Sequence, residues 1–60
     1  MTARELEKIL LADGWYHFES SGSHKQFKHK KKAGKITIPQ HKGDVKVKTA
    51  HTILKQAGLK

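Results

Sequence analysis

Gly22-Ser23-His24-Lys25-Gln26-Phe27-Lys28-His29 is the stretch on which the reading of this chain turns. Glycine accepts positive φ and serine hydrogen-bonds a turn locally, so Gly22-Ser23 reads as part of a hairpin connection that delivers His24 onto the first residue of a basic strand. Side chains alternate along a strand, which sends His24, Gln26 and Lys28 to one face and Lys25, Phe27 and His29 to the other. Phe27 is the natural core contact. Its flanking residues Lys25 and His29 must then reach past the sheet edge, a situation that calls for a bulge or a short strand.

Upstream, Ser20-Ser21-Gly22-Ser23 has the composition of a hairpin loop, and Trp15-Tyr16-His17-Phe18-Glu19-Ser20 is short and aromatic enough for a first strand. Trp15 and His17 point one way, Tyr16 and Phe18 the other, and periodicity alone does not choose between the two faces. Downstream, Lys30-Lys31-Lys32-Ala33-Gly34-Lys35 is a cationic loop that closes onto Ile36-Thr37-Ile38, a third strand stopped by Pro39. Connections this short imply a three-stranded antiparallel meander.

Further out, both ends read as helices. Thr2 with Glu5 three residues later fits a capping box opening a helix over Ala3 to Ala12. Ala3, Leu6, Ile9, Leu10 and Asp13 fall near one face, Leu11 lies at its margin, and Asp13-Gly14 breaks the helix. Gln40 to Lys46 is polar and turn-like; from Val47 the pattern turns helical again, with Val47, Ala50, Ile53, Leu54 and Ala57 on one face and Gly58 as the stop. The order is α-β-β-β-α, with both helices across one face of the sheet, so residues 1–60 read as one α+β domain.

Sixty residues without cysteine exclude a disulfide framework and a thiolate zinc site, and suit a cytoplasmic protein. The longest apolar run, Ile9-Leu10-Leu11-Ala12, is far too short to span a membrane. Charge is more informative, at +8 overall and unevenly placed. Residues 1–19 carry a net −2, whereas residues 20–60 set eleven lysines against Asp44 alone. Such asymmetry points to phosphate backbones or to an acidic partner protein.

Five histidines raise a metal site, but none of their spacings is that of a strong metal motif, so no metal or other cofactor is expected. Ser23 directly precedes His24, so their side chains diverge and a serine–histidine–acid triad is not built. What remains is one imidazole among lysines, able to take and give protons near neutrality beside positive charge. That combination suits RNA hydrolysis, which needs a base for the 2′-hydroxyl, an acid for the leaving 5′-oxygen and cations for the phosphorane. His24 is the candidate catalytic residue. Ser23, Lys25, Lys28, Lys30, Lys31, Lys32 and Lys35 are candidates to hold RNA. Lys42, Lys46, Lys48 and Thr49 join them near the start of the second helix, where backbone N–H groups add to lysine charge. The aromatic strand reads as packing, with a base-stacking platform as the sharper alternative.

The sequence resembles HicA-type (YcfA-like) mRNA interferases along nearly its whole length. The resemblance is carried by Asp13-Gly14-Trp15, Gly22-Ser23-His24, Ile38-Pro39-Gln40-His41 and Ile53-Leu54-Lys55-Gln56-Ala57-Gly58-Leu59, in that order and spacing. It implies a fold like that of double-stranded-RNA-binding domains, metal-independent cleavage of mRNA with His24 as the catalytic histidine, and a HicB-type antitoxin as partner. His41 also matches the family pattern. It is a further candidate on the RNA path, either in proton transfer or in fixing its loop through a backbone hydrogen bond. Two readings rival the enzyme: a non-catalytic module for double-stranded RNA, and a protein-interaction module for an acidic partner.

Overall fold

The computed structural model describes residues 1–40 and 44–60, which places His41 and Lys42 outside the described residues. Helix α1 covers Ala3–Ala12 and opens on the expected capping box: the Thr2 hydroxyl accepts the Glu5 N–H, and the Glu5 carboxylate accepts the Thr2 N–H at 2.8 Å. These reciprocal bonds satisfy two of the N–H groups a helix start leaves unpaired. Ala3, Leu6 and Leu10 are buried, Ile9 packs on the core from its margin, and Leu11 is exposed.

Strands β1 (Trp15–Ser21), β2 (His24–His29) and β3 (Ile36–Pro39) form an antiparallel sheet in the order β1-β2-β3, followed by helix α2 (Val47–Gln56). The hairpin is tighter than the sequence composition suggests. Ser20 and Ser21 pair with Lys25 and His24 as part of β1, leaving Gly22-Ser23 alone as the turn, with Gly22 at φ +59°. The register is Trp15 opposite His29, Tyr16 opposite Lys28 and His17 opposite Phe27. A bulge then falls between His17 and Glu19, on β1 rather than on the strand carrying Lys25 and His29.

Both helices lie on one face. Trp15, Phe27, Ile36 and Ile38 point from the sheet into a core completed by Leu6 and Leu10 of α1 and by Ala50, Ile53, Leu54 and Ala57. Val47, which the helical pattern assigns to this core, is instead 84% exposed, and Val45 is buried in its place. The cause is the chain's entry into α2. Asp44 bridges to Thr2, and the Val45 N–H donates to the Met1 carbonyl at 2.7 Å. This strap draws Val45 inward and leaves Val47, the first helical residue, beyond the packed part of α2.

Candidate nucleic-acid interface

β2 is the central strand, and it serves two faces. Phe27 goes to the core, while His24, Gln26 and Lys28 go to the face opposite the helices, beside Tyr16 and Ser21 of β1 and Thr37 of β3. His24 is exposed at the start of the strand, between Ser21 and Pro39. The Gln40 N–H donates to the Ser23 carbonyl at 2.6 Å and closes the sheet at that end. The backbone under His24 is therefore fixed from both sides. Among the described residues, no group hydrogen-bonds its ring.

The lysines divide into two sets. Lys28 shares the face of His24, its ammonium 4.6 Å from the centroid of the Phe18 ring, and Lys30, Lys31 and Lys35 are exposed in the following loop. Lys25 lies on the helix side and meets Glu7 at 3.3 Å. Lys32 is turned inward too, donating to the Asp13 carboxylate and, at 2.8 Å, to the Ala57 carbonyl. Lys25 and Lys32 thus stand apart from the cations that face solvent near His24. Lys46 and Lys48 are exposed at the start of α2, with Thr49 half-buried. Two clefts that share Thr49 run between the free edge of β3 and α2. One, of about 330 Å³, is lined by Thr37 and Lys48, the other, of about 370 Å³, by Pro39 and Lys46. Among the described residues, no side chain caps α2 at Lys46, where the helix end points its first N–H groups along the helix axis.

The cationic loop is held by a clasp that the sequence did not announce. The Nδ1 of His29 receives the N–H groups of Lys31 (2.9 Å) and Lys32 (3.2 Å), and its Nε2 lies 2.8 Å from the Asp13 carbonyl. A carbonyl only accepts and a backbone N–H only donates, so the ring is the neutral Nε2–H tautomer. Its plane meets Trp15 edge-on at 5.3 Å between centroids. The hydrogen bond from Lys32, foremost, holds the Asp13 carboxyl below the usual aspartate range. His29, Asp13 and Lys32 together tie α1, β2, the basic loop and the end of α2. Sequence spacing carries no signal for this, because residues 13, 29, 32 and 57 meet only in the folded chain. His17 has a local role, its Nε2 2.8 Å from the Ser20 hydroxyl across the bulge. Among the described residues, no three His, Asp or Glu side chains converge as a metal-binding group.

Two helices under a three-stranded antiparallel sheet, in the order α-β-β-β-α, define a small α+β domain. A family model described as the HicA toxin of bacterial toxin–antitoxin systems matches residues 3–59, and the chain belongs to that family. It is also similar to a chain in a solved structure titled "Toxin-Antitoxin complex from Streptococcus pneumoniae", at 37% identity and a TM-score of 0.84, over 98% of each chain. No match was found among curated proteins. No helix among the described residues is long and apolar enough to cross a membrane.

Proposed function

We propose that this HicA-family toxin is a metal-independent endoribonuclease that cleaves mRNA in the cytoplasm, and that a HicB-type antitoxin neutralises it by covering the site. The observation that carries the reading is the placement of His24: an exposed imidazole without a side-chain partner among the described residues, on a fixed backbone, beside an open cationic surface. In the proposed reaction His24 removes the 2′-hydroxyl proton, and the 2′-oxygen attacks the adjacent phosphorus. The bond to the 5′-oxygen breaks, leaving a 2′,3′-cyclic phosphate and a 5′-hydroxyl, and the proton taken up by the imidazole passes to the departing oxygen. Lys28, Lys30, Lys31 and Lys35 balance the charge that develops on phosphate. Lys46, Lys48 and Thr49 hold the flanking backbone along the groove beside β3.

The test is cleavage of a defined RNA in excess chelator by the unmutated protein and by His24→Ala, with growth followed after induction of each. Loss of a general acid–base group lowers the rate by about 10²–10⁴-fold. Because His24 is exposed, the variant should melt as the parent does. Equal cleavage by both proteins would remove His24 from the mechanism. Binding by both with cleavage by neither would leave a non-catalytic RNA-binding module.

A further inference from the structure

The open face of the sheet also bears on what form of RNA reaches His24. Trp15 points inward, so Tyr16 points outward, opposite Lys28. The bulge after His17 then resets the alternation: His17 lies beside Phe27 on the helix side and bonds Ser20, while Phe18 stays under the Lys28 ammonium. Two aromatic rings and a lysine therefore occupy one end of the face whose other end is His24. Tyr16 is 43% exposed, and both helices pack on the opposite side. Lys28 lies four positions beyond His24 along β2, about 13 Å at strand rise, a distance an extended strand covers in a few nucleotides.

We propose that this face is a stacking platform for single-stranded RNA, with Tyr16 receiving the face of an unstacked base and Lys28, braced on the Phe18 ring, an adjacent phosphate while the scissile linkage lies over His24. The proposal rests on the ribonuclease reading for what happens at His24, but not for binding. Aromatic rings beside ammonium groups match a polymer that alternates flat bases with phosphates. A duplex offers no such match, because its bases already cover one another and only its backbone and groove edges are presented. The lysine density beside the rings, Lys28 with Lys30 and Lys31, favours this occupant over an apolar protein surface.

The test uses His24→Ala protein, so that the probe is not consumed, with a short RNA carrying 2-aminopurine, single-stranded or annealed to its complement. Adding Tyr16→Ala should weaken single-strand binding roughly tenfold and abolish the fluorescence quenching that reports stacking, while duplex affinity stays the same. Tyr16→Trp should retain both. The proposal is overturned if single-strand and duplex affinities fall together, if neither changes, or if only binding of the antitoxin is weakened. Tyr16 lies outside the core, and a melting curve checks that the variant folds. The two readings fail separately. An unmutated protein that never cuts yet binds single strands through Tyr16 keeps the platform and loses the enzyme, and a Tyr16→Ala protein that binds and cuts like the parent does the reverse.

Discussion

Replacing Gly14 by alanine tests the join between α1 and the basic loop. Gly14 sits at φ +102°, and a Cβ added there would lie 2.8 Å from Nε2 of His29, the atom that donates to the Asp13 carbonyl. The backbone strain of a left-handed alanine costs about 1–2 kcal/mol. Displacing the ring loses a hydrogen bond of about 1 kcal/mol, so the expected cost is roughly 2–3 kcal/mol, the sum of these two contributions. A chain of 60 residues has a total stability of about 3–9 kcal/mol. At about 4–8 °C per kcal/mol the melting temperature should fall by roughly 10–20 °C. Gly22→Ala is the control: its φ is also positive, at +59°, but among the described residues no atom beyond its chain neighbours lies within 4 Å of the added Cβ. Urea and thermal unfolding of both variants give the comparison. In a His29→Ala background the excess cost at Gly14 should vanish, because the obstructing ring is gone. If Gly14→Ala and Gly22→Ala lose stability equally in the parent protein, the clasp contributes nothing and the reasoning is refuted.

Three further outcomes are expected. The Asp13 carboxyl is held below its ordinary range by Lys32, so its contribution to stability is present above that range and is lost as pH falls through the depressed value; the stability gap between the parent and Asp13→Asn should close in strong acid, as urea midpoints across pH would show. Removing Lys28 or Lys31 should weaken RNA binding and lower the salt slope by about one per phosphate contact, whereas Lys25→Met should leave that slope unchanged, since Lys25 is engaged by Glu7. Val47→Ser should change stability by less than about 0.5 kcal/mol, while Val45→Ala should cost about 1–2 kcal/mol, a contrast that equilibrium unfolding would reveal.

The alternation around Phe27 and the capping box at Thr2 were legible because strand and helix periods, and the Ser/Thr-x-x-Glu spacing, are local properties of a chain. Where the reading failed, a non-local contact had intervened. Val47 has the helical phase of Ala50 and Leu54, but the Val45–Met1 bond decides where α2 begins to pack. Lys25, Lys32 and His29 each gain a structural partner that spacing does not announce: Glu7 for Lys25, Asp13 for Lys32 and the loop N–H groups for His29. A run of lysines gives the sign of a surface. Which of them are held by partners within the domain depends on acids and carbonyls 18 or more residues away in the chain.

Strand β2 couples the two faces of the domain. The residue that fills the centre of the core, Phe27, lies three positions from His24 on the same backbone and is fully buried. Truncating Phe27 to alanine costs about 3–5 kcal/mol, which approaches the whole stability expected for a chain of this size. A substitution on the inner face must therefore alter both folding and the position of His24. One on the outer face, at Tyr16, His24 or Lys28, removes no core contact, so on the proposed reading its effect falls on RNA. On the proposed reading stability and function share a backbone but are carried by alternate side chains, and the outer face can change its chemistry with little thermodynamic consequence so long as Phe27, Ile36 and Ile38 keep the strands in register.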